Sequence, residues 1–188
     1  MLPNNEISST SVEGIFLLPN KQPDEVIDYE FGGISIQDTS QGLNVFVWEC
    51  FYKDRWITLR SPNEEVKWLQ IDGVTHVGLA FDFNMNPNIC YVVNGETFLR
   101  WYDTSIQGFR TTSFGSSIKS PQISLDDHRE EFSGSSDIIF AYVRNGSVYY
   151  RQQRDRYNIE RYVGEVPDDL TLVQIGMNRK YRFQFKIY

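Results

Sequence analysis

The chain has 188 residues, with 25 acidic and 18 basic side chains for a net charge of −7, and it is 40% hydrophobic and 15% aromatic. That length allows one well-buried domain and hardly two, and the composition excludes a disordered polypeptide. The acidity counts against a free DNA-binding protein. No stretch approaches the roughly 18 apolar residues of a membrane span, so the expectation is a soluble, cytosol-made chain with no membrane partner.

Residues 1–28 have no basic region, and their apolar run, Ile15 to Leu18, is too short for a signal-peptide core. They read as an N-terminal arm or lead segment, leaving 29–188 as a single all-β domain. The domain then repeats itself. A first unit opens with GISIQD (Gly33 to Asp38) and continues through runs starting at Leu43, Arg55 and Val66. A second opens with VGLAFD (Val77 to Asp82), followed by runs from Pro87, Glu96 and Phe109. A third opens with QISLDD (Gln122 to Asp127), followed by runs from Asp137, Ser147 and Tyr157. The closing aspartates Asp38, Asp82 and Asp127 lie 44 and then 45 residues apart. A fourth unit begins with LVQIGMN, where Asn178 replaces the aspartate, and it stops after KYRFQFKIY with two runs in place of four.

Four short strands per unit of about 45 residues match a β-propeller blade. The continuous apolar run Ile138 to Val143 implies a strand buried on both faces. A β-sandwich core strand would read the same way, so the fold class is all-β, propeller-like with three full units and an incomplete fourth, or a β-sandwich. The incomplete unit needs strands from the N-terminal segment, with GIFLL and DYEFGG as candidates, or from another chain. Asn94-Gly95 and Asn145-Gly146 mark two-residue hairpins between the second and third runs of their units, because Asn-Gly accepts positive φ at both turn positions.

The chemistry-bearing residues are sparse. Asp38, Asp82, Asp127 and Asn178 could converge on a hard cation, but strand-ending Asp and Asn side chains ordinarily bond the following turn, so no metal or other cofactor is expected. Cys50 and Cys90 sit in apolar runs and read as buried reduced thiols. The two histidines, His76 and His128, stand in no catalytic pattern. No nucleophile elbow, phosphate-binding glycine loop or zinc signature occurs, and a non-enzyme is expected. Residues 1–143 carry 9 basic and 20 acidic side chains, a net −11, whereas 144–188 carry 9 basic and 5 acidic, a net +4. The basic pole centres on Arg151, Arg154, Arg156, Tyr157 and Arg161, a mixture suited to a protein interface because guanidinium forks pair with carboxylates while tyrosines stack. Trp56, Trp68, Trp101 and Tyr149 are candidate sugar-stacking residues, although large aromatics in strands more often belong to the core.

The phrases GISIQDTSQGLNVFVWECFY, LAFDFNMNPNICYV, LRWYDTSIQGFRTTSFG, SPQISLDDHR, SDIIFAYVRNGSVYYRQQRDRYNIE and QIGMNRKYRFQF resemble a family of virion structural proteins of tailed bacteriophages. The likeness runs from about Tyr29 to the end and is most specific over Tyr142 to Tyr157. It implies a virion component assembled in the host cytoplasm. Its place would be the tail or a tail and fibre junction, present in several copies and bound to other tail proteins. A host-surface glycan-binding tail module is the alternative. No catalytic residues follow from it.

Overall fold

The computed structural model describes residues 29–39, 42–61, 63–82, 84, 86–126, 137–167, 172–177 and 183–187. The protein is all-β. Sheet one is the meander β1 (Tyr29–Thr39), β2 (Gly42–Lys53), β3 (Trp56–Ser61) and β4 (Glu64–Gln70). Sheet two is β5 (Val74–Phe81), β6 (Pro87–Val93), β7 (Glu96–Asp103) and β8 (Gly108–Gly115). Sheet three is β9 (Lys119–Asp126), β10 (Asp137–Arg144), β11 (Ser147–Gln152) and β12 (Arg161–Glu165), and a two-stranded fourth sheet joins β13 (Leu172–Met177) to β14 (Phe183–Ile187). Every pairing is antiparallel between chain neighbours. Among the described residues no helix is long and apolar enough to cross a membrane.

The repeat in the sequence is therefore a repeat of sheets. Its most regular mark is the turn between second and third strands. Asp54-Arg55, Asn94-Gly95 and Asn145-Gly146 all hold positive φ at both positions, 52° and 69°, 51° and 78°, and 50° and 73°. These are the angles of a type I′ turn, whose twist matches that of the flanking strands. Six residues after the first turn position stands an arginine in each unit, and each guanidinium lies over a phenyl ring: Arg60 on Phe51 at 4.8 Å, Arg100 on Phe109 at 5.5 Å, Arg151 on Phe114 at 5.3 Å.

The repeated aspartates are less equivalent. Asp38 lies within the ladder opposite Leu43, whereas Asp82 follows the end of β5. Asp127 and Asn178 lie outside the described residues. Two other expectations shift. Tyr29 to Gly33, from the DYEFGG phrase, form the head of β1 and pair with Tyr52 to Trp48 of β2, so they do not complete the fourth sheet. The GIFLL phrase lies outside the described residues. The last run of unit three begins its strand at Arg161 rather than Tyr157, because Gln153–Asp155 form a 3₁₀ turn and Arg156 and Tyr157 adopt φ of 58° and 60°.

Strand alternation places the core in successive layers. One face of sheet two (Val77, Leu79, Phe81, Ile89, Tyr91) packs on Cys50, Tyr52, Ile57 and Leu59 of sheet one. Its other face (Ala80, Cys90, Leu99, Trp101) packs on Ile123, Ile138, Phe140 and Tyr142 of sheet three. Ile139, Ala141 and Val143 point the opposite way, onto Ile175 and Phe185 of the fourth sheet. This is why Ile138 to Val143 is apolar without alternation: both faces of β10 are buried. The opening strands lie side by side, β1 by β5, β5 by β9 and β9 by β13.

Candidate functional site

The residues expected to form a basic interface come together, but on the chain's own carboxylates and carbonyls. Arg151 donates from Nε to the Tyr142 hydroxyl (2.8 Å) and from Nη1 to the carbonyls of Tyr157 (2.7 Å) and Asn158 (3.1 Å), with Nη2 on Glu160 (3.1 Å). It thereby gathers the 153–160 loop against sheet three. Arg154 grips buried Asp137 through its backbone N–H (2.9 Å) and Nε (2.5 Å). Arg161 pairs with Asp155 at 2.5 Å. Glu160 is shared with Arg144 at 2.6 Å.

Arg156 and Tyr157 reach across to sheet two. Arg156 Nη2 donates to Asp103 Oδ2 at 2.7 Å, beside Arg110 Nε at 2.8 Å. The same carboxylate accepts from the Ser105 hydroxyl (2.6 Å) and backbone N–H (3.0 Å) through Oδ1. Those Ser105 bonds, then the Arg156 guanidinium, outweigh burial and hold the Asp103 carboxyl at about 2. Tyr157 is 2% exposed, so it belongs to the core rather than to a surface. Its ring meets Trp101 edge-on at 5.3 Å, and its hydroxyl donates to Asn88 Oδ1 at 3.2 Å. Burial, reinforced by nearby Asp137 and Asp82, raises its phenol well above the ordinary range.

Asp82 ends β5 as a turn residue does. Its Oδ1 accepts from the backbone N–H groups of Asn84 and Asn86, both at 2.9 Å, and its Oδ2 accepts from Asn86 Nδ2 at 3.2 Å and Gln153 Nε2 at 3.3 Å. Among the described residues no group of three or more His, Cys, Asp or Glu side chains is placed to hold a metal ion. Cys50 and Cys90 are unpaired and fully buried, which drives both thiols upward, Cys90 to about 12. His76 donates to the Pro121 carbonyl of β9, but desolvation dominates and depresses its ring to about 4, so it is neutral at pH 7. His128 lies outside the described residues.

The aromatic candidates are largely structural. Trp101 is 3% exposed and donates to Thr112 Oγ1 at 3.2 Å. Trp68 and Tyr149 pack against the two main core layers, while Trp56 lies under the Lys67 ammonium at 5.8 Å. A cleft of about 450 Å³ runs between Ser116, Ser117, Lys119, the Asn145-Gly146 turn and Val166-Pro167. Its lining includes no aromatic ring on which a sugar could stack.

Among the described residues, the outer strand edges remain for contact with another molecule. β4 presents Glu64, Glu65 and Lys67, and β8 presents Arg110, Thr111 and Ser113, all exposed polar residues. Charges on an edge strand oppose pairing with a second chain. β4 also leaves Val66 38% exposed, and Ile106, just before β8, is 53% exposed; β12 carries more, with Tyr162 59% and Val163 39% exposed and Ile159 just before it 52% exposed. Sequence reasoning missed this edge and the partners Asn88, Asp103, Asp137 and Gln153. The repeated Arg60, Arg100 and Arg151 spacing was a visible sign that these arginines are structural. No family model matches the chain, and no curated protein or solved structure is significantly similar to it.

Proposed function

We propose that the chain is a non-catalytic structural or adaptor subunit of a bacteriophage tail, at the tail or a tail and fibre junction. It sits in the virion in several copies and works through protein contacts. The observation that carries the contact role is the β12 edge, where Ile159, Tyr162 and Val163 are exposed beside a strand hydrogen-bonded on one side only among the described residues. An open strand edge carrying apolar side chains is a template for main-chain pairing, with the side chains setting register. The phage assignment rests on the likeness of the quoted phrases, above all Tyr142 to Tyr157. The propeller-like reading is supported by the layered four-stranded meanders with opening strands side by side; among the described residues they form no closed ring, and the β-sandwich is the alternative.

The test is to place Val163→Lys in the full chain and follow both assembly and position. The expected result is unchanged folding, loss of self-association or partner binding by mass measurement, and failure to incorporate into tails. Wild-type protein should be found in the tail of intact particles. Normal incorporation of the variant removes the β12 edge from the contact, and absence of the wild-type protein from particles removes the virion reading.

A further inference from the structure

The cleft of about 450 Å³ lies at one end of sheet three. Its floor is apolar, with Val143 7% and Val166 4% exposed. Its walls are polar: Ser116, Ser117 and Lys119 come from the passage between sheets two and three, and Asn145 comes from the type I′ turn. Val166 N–H on the Gly146 carbonyl at 2.8 Å ties the exit of β12 to that turn. Among the described residues no carboxylate lines the space. The four polar side chains are exposed, and among the described residues none of them makes a hydrogen bond or ion pair within the chain. For a cation this is unusual in the molecule. Every described arginine side chain has a carboxylate, hydroxyl or ring against it, Lys67 lies on Trp56, and Lys53 has a partner of its own. Among the lysines and arginines whose side chains are described, Lys119 alone is left over.

The repeat marks this opening as a departure. Counted back from Asp82 and Asp127, Ser116, Ser117 and Lys119 stand where unit two has Ile71, Asp72 and Val74. Ile71 packs on the first core layer, Asp72 pairs with Arg55, and Val74 is 4% exposed. Unit two closes the place with apolar contact and an ion pair, whereas unit three leaves it open and lines it with hydroxyls and an ammonium. The backbone bends to do so. Gly115 turns the chain off β8 at φ 78°, and Ser120, beside Lys119, holds φ 48° where the β9–β10 register shifts by one residue. A bulge re-aims the side chains next to it, and a serine held at positive φ is strained.

We propose that the cleft is a binding site for a small molecule carrying a single phosphate group, with Lys119 as its charge partner and Ser116, Ser117 and Asn145 as hydrogen-bond donors. Four separate donor side chains, none of them an acceptor only, suit the several oxygens of a tetrahedral oxyanion better than the two of a carboxylate. Lysine meets phosphate as a point charge. One free cation makes no track for a nucleic-acid backbone, whose affinity comes from neutralising several phosphates. The space is larger than a bare ion needs and has an apolar floor without a ring, so the rest of the ligand is small and aliphatic. The site is independent of the tail reading.

The test titrates inorganic phosphate, and separately glycerol 3-phosphate, into the full chain and follows the backbone amides by nuclear magnetic resonance. Both should saturate a single site, with shifts confined to residues 115–120 and 143–147, and glycerol 3-phosphate should bind at least as tightly because the floor accepts its carbon chain. Lys119→Ala should lower the affinity about tenfold or more and Lys119→Arg should keep most of it. Lys67→Ala, at an exposed lysine outside the cleft, should change nothing. Lys119 and Lys67 are both exposed, so the substitutions leave the fold intact and a lost affinity reports on the contact itself. Acetate at matched ionic strength should bind several-fold more weakly than phosphate. Absence of saturation, equal affinity in the wild type and Lys119→Ala, acetate matching phosphate, or glycerol 3-phosphate binding more weakly than the bare ion each overturns the proposal. A short oligothymidylate that binds more tightly than phosphate at equal phosphate concentration overturns it as well, because the cleft would then belong to a nucleic-acid surface.

Discussion

The seams on the two sides of sheet two are built differently. The seam with sheet one is closed by apolar contact: Cys50, Ile57 and Leu59 against Val77, Leu79 and Ile89, with Trp48 tilted on Phe81 at 5.4 Å. The seam with sheet three has a comparable apolar layer but adds a latch. Arg156 bonds Asp103, Gln153 bonds Asp82, and the Tyr157 hydroxyl bonds Asn88, all from one loop of sheet three to sheet two. Hydrophobic burial is non-directional and tolerates sliding, whereas a hydrogen bond to a buried acceptor is lost over a fraction of an ångström. The first seam supplies adhesion, and the second supplies adhesion with a fixed register.

The sharpest way to break that contrast is at Tyr157. Tyr157→Ala empties a fully enclosed site and should cost about 3–5 kcal/mol, whereas Leu79→Ala at the first seam should cost about 2–5 kcal/mol. Their local signatures should differ. With Tyr157→Ala, hydrogen exchange should rise selectively over 153–158, because the two left-handed residues at Arg156 and Tyr157, each costing on the order of 1 kcal/mol, are held only by the contacts they reach. With Leu79→Ala no loop should be singled out. Equal exchange profiles in the two variants would mean that the latch fixes nothing.

A second difference is chemical. His76 stands on β5 against the Pro121 carbonyl of β9, so it reports on the side of sheet two that faces sheet three. Its ring titrates near 4 in the folded chain against an ordinary 6.5. The unfolded chain therefore takes up the proton first, and stability is fully present above about pH 6.5 and lost as pH falls towards 4. The loss should amount to roughly 3 kcal/mol. Asp103, held low by Ser105 and Arg156, adds a further decline only below about pH 4. Urea midpoints measured from pH 8 to 4 should show this slope, and His76→Asn should flatten it between 6.5 and 4. A slope that survives the substitution assigns the titration elsewhere.

These residues also show how far the sequence could be read. The sheet count followed from the phrase that recurs every 44 or 45 residues, and most strand positions from apolar runs and turn chemistry, which are local: Asn94-Gly95 states its turn outright. Burial of both faces of Ile138 to Val143 was legible because a strand that is apolar at every position has no solvent side. The role of Arg151 to Arg161 was not legible. Four arginines and a tyrosine in sequence look like a surface, and only the three-dimensional placement of Asp137, Asp103, Glu160 and Asn88 ties them to the chain's own acceptors, burying Tyr157 while Arg154 and Arg156 stay about half exposed. The break in the last run of unit three was equally hidden, since neither Arg156 nor Tyr157 announces positive φ as a glycine would. The matching aspartates were legible in place but not in detail: Asp38 and Asp82 each stand within one residue of the end of their opening strand, yet one pairs in the ladder and the other closes a loop.

The smallest expected effect concerns sheets one and two at their equivalent turns. Sheet two uses Gly95 at φ 78°, where an added Cβ would meet nothing within 4 Å, so Gly95→Ala should cost only the conformational penalty of a left-handed alanine, about 1 kcal/mol. Sheet one places Arg55 at the same point with φ 69° and secures it by a bidentate pair to Asp72, whose outer bond is 2.6 Å from Nη2 to Oδ2. Both side chains are about two-thirds exposed, at 66% and 63%, so the pair contributes little. Arg55→Gly relieves the backbone, loses that pair and loosens the unfolded chain, three terms of similar size. The net change in unfolding free energy should stay within about 0.5 kcal/mol. A loss above about 1 kcal/mol would show that the Asp72 pair anchors the passage from sheet one to sheet two, with Ile71 N–H on the Arg55 carbonyl at 2.9 Å as its backbone component.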